Sequence, residues 1–229
     1  MKKALLITST IMMCLSCCAQ QKINIGLKQQ LDSILASDQG IREFVDTETS
    51  EARKDQLAKA LGYSKEELKK KAWSLMNKID SANFKKVESI VSKYGYPGKS
   101  LVGEPANTAV FFVIQHTPSQ ISKYYPLIEK AGKEGELPFE NVAMMLDRKL
   151  TGEGKLQIYG TQIYSVQITN PKTGQKEFFE YVMPIEDAKN VNKRRKEAGF
   201  KLSVEENAKR FGIIYKAYTP EEIKKITNP

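Results

Sequence analysis

After Gly152 and Gly154 the hydrophobic period of the chain switches from helical to extended, and that switch constrains the fold more than any other feature. Before it, apolar residues recur three and four apart, as one buried helix face requires. Leu27, Leu31, Ile34 and Leu35 mark a helix over 23–36. Ser64-Lys65-Glu66-Glu67 reads as a capping box. It opens a helix with Leu68, Ala72, Leu75, Met76 and Ile79 inward and Trp73 near the edge of that face. Another helix is expected near 84–93, and the polar stretch 47–59 reads as helix or loop. Ala109–Ile114 is a wholly apolar run, which the spacing of Ala106, Ala109, Val110 and Val113 assigns to a helix. Helices near 119–131 and 139–150 follow, the second with Phe139, Val142, Met145 and Leu146 inward.

Beyond the glycines, 157–169 is rich in Ile, Tyr, Val and Thr. A turn at 170–174 and a second β-type run at 177–183 complete a hairpin. Asp187 is expected to cap a helix that Gly199 stops, 204–211 to be helical, and Pro220 to open a last helix. The fold class is therefore mainly α (α+β): an irregular multi-helix domain with one late β-hairpin at about 157–183. A helical region, 20–93, is expected to pack on a motif-bearing domain, 94–229.

The chain has one histidine, His116, and its three cysteines, Cys14, Cys17 and Cys18, all fall in the first 18 of 229 residues. Structural zinc takes about four thiolate or imidazole ligands. The body of the chain lacks them, and equally lacks a cysteine nucleophile, an iron–sulfur cluster or a disulfide. Carboxylates are plentiful, but no DxDxDG loop argues for calcium. No metal or cofactor is expected. Gly98-Lys99-Ser100 is not a phosphate loop, because Lys93 stands where the first glycine would.

Met1-Lys2-Lys3 followed by an apolar stretch over 4–16 reads as a cleaved signal peptide, 1–19. The stretch is too short for a helix that spans a bilayer, which takes about 20 residues. Two processing routes fit. One is ordinary cleavage before Gln20; the other is a lipobox at Leu15-Ser16-Cys17-Cys18, with Cys17 or Cys18 lipidated and anchoring the chain to a membrane. The expected location is outside the cytoplasm: periplasmic, attached to the outer membrane, or secreted. The formal charge is +9, two units of it on Lys2 and Lys3. Such a balance favours anionic surfaces only generically, and export argues against a nucleic-acid partner.

Several polar strings recur in a recognisable order. Tyr94-Gly95-Tyr96-Pro97-Gly98 is followed by Gln115-His116, Asp147-Arg148, Gln157-Ile158-Tyr159-Gly160-Thr161-Gln162, and Pro184-Ile185-Glu186-Asp187 with Arg194-Arg195. Together they resemble an uncharacterised bacterial family marked by a YGWPG turn, QH, DR, QxYGTQ and PIxD…RR. Asp38-Gln39-x-x-Arg42 is similar to its upstream DQxxR element, and Tyr96 stands where tryptophan is usual. The family brings no reaction with it. The resemblance implies that these polar positions belong together.

His116 is the only side chain here whose ordinary pKa suits proton transfer near neutral pH; it also reads as a cap on its own helix. Arg194 and Arg195 follow Val191 by three and four residues, so they straddle an apolar face. They reach a carboxylate or ligand, or else form a solvated basic face. Tyr159 is a ligand contact or an interior tyrosine. Asp38 is a ligand contact or a helix cap. The candidate catalytic residues are His116, Asp147 and Arg148. The candidate ligand-binding residues are Gln115, Tyr159, Gln162, Asp187, Arg194, Arg195, Asp38, Gln39 and Arg42. Three functions are compatible with this set. The first is a pocket for a small polar or anionic ligand. The second is a metal-independent hydrolase or transferase, with His116 as general acid/base oriented by Asp147 or Asp187. The third is a structural envelope protein.

Overall fold

The structure, a computed structural model, describes residues 22–170 and 173–227. The leader, with Cys17 and Cys18, lies outside the described residues. Ten α-helices and one antiparallel hairpin are found among them. The class is mainly α, as expected, and no described helix is long and apolar enough to cross a membrane.

Helix α1 (Ile25–Val45) starts at Asn24, whose side chain accepts from the Leu27 amide. It buries Leu27, Leu31, Ile34, Asp38, Ile41 and Phe44, one stripe at three- and four-residue spacing. The helix does not stop near Ala36; it carries Asp38, Gln39 and Arg42 in its interior. Ser50 caps α2 (Glu51–Leu61), which resolves the polar stretch as a helix, and Gly62 ends it in the left-handed conformation. Helix α3 (Lys65–Tyr94) opens at Ser64 and bends at Lys71 (φ −125°, ψ 20°). It absorbs the separate helix expected at 84–93, because Asp80-Ser81-Ala82-Asn83 holds no glycine or proline to break it. Trp73 is outside the buried face and 75% exposed.

The turn at 95–98 leads through a short α4 (Lys99–Val102) to α5 (Ala109–Gln115), whose apolar run is buried on nearly every side. Pro118 opens a 3₁₀ turn before α6 (Ile121–Lys133), and α7 (Phe139–Gly152) returns against α6. Phe139 is half-exposed rather than inward. The hairpin is shorter than expected: β1 (Ile163–Thr169) pairs with β2 (Lys176–Val182), with Ile163 opposite Val182. Helices α8 (Val191–Glu197), α9 (Val204–Lys209) and α10 (Pro220–Thr227) complete the chain. Asp187 has φ +45° and does not cap α8; its carboxylate accepts from Asn190 Nδ2 at 2.7 Å instead. An isolated two-stranded hairpin is marginal in water. Here the rings of Phe179 and Tyr181 stack at 5.1 Å, and Tyr218 meets both edge-on at 5.7 and 6.2 Å, which ties the hairpin to the segment before α10.

Three apolar cores result. The first joins the first half of α1 and the end of α3 to α5, α6 and α7, around Leu31, Val87, Phe111, Ile114 and Met145. The second lies among the last turns of α1, α2 and the start of α3, around Ile41, Leu57 and Leu68. The third gathers Val182, Val191, Val204 and Ala208. Asp38 falls between Ile34 of the first core and Ile41 of the second.

Candidate functional site

A carboxylate at a core position of α1 is expensive to bury unless it is paired. Asp38 is 0% exposed and has three partners. Its Oδ1 lies 3.0 Å from His116 Nδ1, its Oδ2 accepts from Gln39 Nε2 at 2.6 Å, and Arg42 stands 3.5 Å away. Arg42 also donates to the Asp38 carbonyl at 2.8 Å and grips Asp80 of α3 with both arms, at 3.0 and 2.8 Å. His116 is the residue just past α5. An ionised carboxylate only accepts, so the Nδ1 facing Asp38 carries a proton, and in the neutral imidazole that tautomer makes Nε2 the acceptor. No described residue bonds Nε2, and the side chain is 18% exposed. The orienting group of His116 is thus Asp38, not the expected Asp147 or Asp187.

Arg148 of α7 donates to the Gln115 carbonyl at 2.9 Å and to Gln162 Oε1 at 3.2 Å. It has no carboxylate partner among the described residues. Burial pushes its guanidinium below the ordinary value, and the positive charge of Arg42 adds to the shift. Two guanidiniums therefore share one region, and only one of them is neutralised. Arg148 and Gln162 line an open cleft of ≈ 420 Å³ with Pro118, Lys149, Glu153, Tyr164 and Met183, and Glu153 pairs there with Lys149 at 2.6 Å. His116 itself is not in that lining; the cleft begins two residues beyond it, at Pro118. Gln115 is buried, and its Oε1 finds no partner among the described residues.

The segment 157–162 is an irregular loop rather than the start of a strand, and two clamps hold it. Asp147 Oδ1 accepts from the amides of Ile158 (2.7 Å) and Tyr159 (2.9 Å), and Oδ2 from the amide (3.0 Å) and hydroxyl (2.9 Å) of Thr161. Successive amides aimed at one carboxylate cannot belong to a strand, where they alternate. Burial pushes the Asp147 carboxyl up, and these four donors pull it the other way. From the opposite side Arg194 donates to the carbonyls of Ile158 (3.0 Å), Glu186 (2.6 Å) and Asp187 (3.0 Å). Arg195 takes those of Tyr159 (2.8 Å) and Leu202 (2.8 Å) and lies over the Phe200 ring at 4.5 Å. The helices α7 and α8 thus hold the amides and the carbonyls of one loop, which presents Gln162 to Arg148.

Gly160 makes the loop's bend with φ +69°. A Cβ there would come within 2.7 Å of Val204 Cγ2 and 2.8 Å of Ile185 Cδ1. Gly160→Ala is accordingly expected to destabilise the protein by about 2–3 kcal/mol, the sum of overpacking and a strained left-handed residue. A urea titration followed by circular dichroism measures it; an unchanged midpoint would mean that the loop is not packed as described.

The structure therefore divides the candidate residues. Asp38, Gln39, Arg42, Gln115, His116, Arg148 and Gln162 come together in one polar region. Asp147, Asp187, Arg194 and Arg195 spend their polar atoms on the loop and on each other. Asp147 is not placed to act on a reactant; the two arginines meet backbone carbonyls, and Arg194 also meets the Asp187 carboxylate at 3.4 Å. Tyr159 packs its ring near Phe200 (centroids 6.1 Å apart), outside the cleft. Two residues escape the sequence reading. Asp80 anchors Arg42, and no local pattern announces it. Gln157 is fully buried and bonds Gln162 and Met183 backbone groups, which its place at the head of the QxYGTQ string could have suggested. Among the described residues no three His, Cys, Asp or Glu side chains cluster so as to hold a metal ion. No curated protein and no solved structure matches the chain. One family does, over residues 27–217, which takes in every residue of the polar region and of its clamps, and the chain accordingly belongs to the family of unknown function DUF6624.

Proposed function

We propose that the mature chain works outside the cytoplasm and binds a small anionic ligand in the cleft at Arg148. One observation carries this reading: a half-buried guanidinium without a carboxylate partner, beside a second guanidinium, at the wall of a cleft. A carboxylate or phosphate would neutralise it in bidentate geometry, while Lys149 at the same wall is already paired with Glu153. The test is a thermal-shift screen of carboxylates, phosphate esters and acidic glycans against the chain beginning at Gln20. At a ligand concentration of 100 Kd the expected stabilisation is about 2.7 kcal/mol. Arg148→Met is expected to erase it while leaving the unliganded transition within about 1 kcal/mol of the parent. If Arg148→Met responds to ligands like the parent protein, the cleft is not the site.

The Asp38–His116 contact favours a second reading, in which the anion is a substrate that extends beyond the cleft wall, past Gln115, to His116. His116 Nε2 takes a proton from an attacking water, the water oxygen bonds to the ester carbon or phosphorus, and the imidazolium returns the proton to the leaving oxygen. Arg148 meets the negative charge that develops. This reading needs no metal and no side-chain nucleophile.

A further inference from the structure

The first turns of α3 carry a basic and aromatic patch that the anion cleft does not use. Lys69 and Lys70 precede Trp73 by four and three residues, so they stand beside it on the helix surface. The bend at Lys71 lies among them. A hollow of ≈ 620 Å³ runs along this face between Lys54 of α2, Val45 at the end of α1, the three lysines and Trp73, and no acidic side chain lines it. Lys69 is paired with Glu51 at 3.2 Å; Lys54, Lys70 and Lys71 have no carboxylate partner among the described residues. Tryptophan is usually well buried, yet the chain's one indole is 75% exposed.

We propose that this patch docks on the surface of an anionic lipid bilayer. The occupant is chosen by chemistry of two kinds. Uncompensated lysines are drawn to acidic headgroups, and an indole settles at the boundary between headgroups and acyl chains. An acidic polymer would satisfy the lysines and leave Trp73 in water. Docking here places the patch, rather than the anion cleft, against the membrane, and it stands or falls independently of the ligand reading.

The single tryptophan supplies the measurement. The chain beginning at Gln20 contains every described residue and no cysteine to lipidate. It is mixed at low salt with vesicles of phosphatidylcholine, alone or with phosphatidylglycerol. Mixed vesicles are expected to sediment the protein and shift Trp73 emission to the blue, and phosphatidylcholine alone to do neither. Lys70→Gln/Lys71→Gln touches only exposed side chains. It is expected to lower partitioning about 25-fold, roughly fivefold per lysine. Equal binding to both vesicle types, sedimentation with Trp73 emission unmoved, or a double variant that partitions like the parent each overturns the proposal. So does capture by polyglutamate with the mixed vesicles left unbound.

Discussion

Replacing Asp147 by alanine is expected to destabilise the protein by about 3–5 kcal/mol, close to the range seen when one partner of a buried charge network is removed. Three backbone amides and the Thr161 hydroxyl would lose their acceptor in a dry interior. Each unmet donor costs about 1–3 kcal/mol before the loop relaxes. Relaxation would free Gln162 from its place beside Arg148, so ligand stabilisation should weaken as well. Asp147→Asn is the sharper variant. It keeps the shape but turns an amide NH₂ toward groups that are already donors, and most of the loss should persist. The check is a shift of the urea midpoint at constant m-value. Should Asp147→Asn keep its stability and lose ligand response alone, Asp147 would belong to the ligand site and not to the scaffold.

This division between scaffold and site bears on how far the residues could be read without coordinates. A helix start with a polar cap and an apolar stripe, such as that of α3 at Ser64, is fixed by local spacing. The hairpin is fixed by its β-branched runs and turn. The loop 157–162 misleads because Ile158 and Tyr159 are good strand residues, while the force that bends it is a carboxylate on another helix. Local propensity carries no trace of that contact. Arg194 and Arg195 mislead for the same reason: besides nearby acceptors, each takes a loop carbonyl 36 positions earlier in the chain. The core position of Asp38, by contrast, is legible in the spacing. Leu31, Ile34, Asp38 and Ile41 keep one unbroken three-and-four spacing, so a continuous helix would have put the carboxylate at a core position. A buried aspartate must have a partner, and the chain's one imidazole was available to it. What no spacing could provide is the pairing itself, which joins residues 78 apart through the packing of α1 on α5.

That pairing sets the second large effect. His116→Asn can still donate an N–H to Asp38 from the position of Nδ1, so the fold should hold to within about 1 kcal/mol. Proton transfer would be lost, and turnover of any substrate found in the cleft should fall by about 10²–10⁴-fold. Asp38→Asn should reduce turnover by a comparable factor, because the amide no longer holds the imidazole in the one useful tautomer. Stability separates a retained catalytic pair from a structural one. Buried ion pairs replaced together by apolar groups are often neutral or stabilising by about 1–4 kcal/mol. Asp38→Leu completes the apolar stripe of α1, and Arg42 keeps Asp80 as its partner. The double variant Asp38→Leu/His116→Phe should therefore melt at or above the parent temperature while turning nothing over. A protein that unfolds under this exchange would be using the contact to join its first two cores, and the acid–base reading would lose its footing. A stable, inactive one would show that α1 carries a carboxylate in its core for chemistry and not for folding.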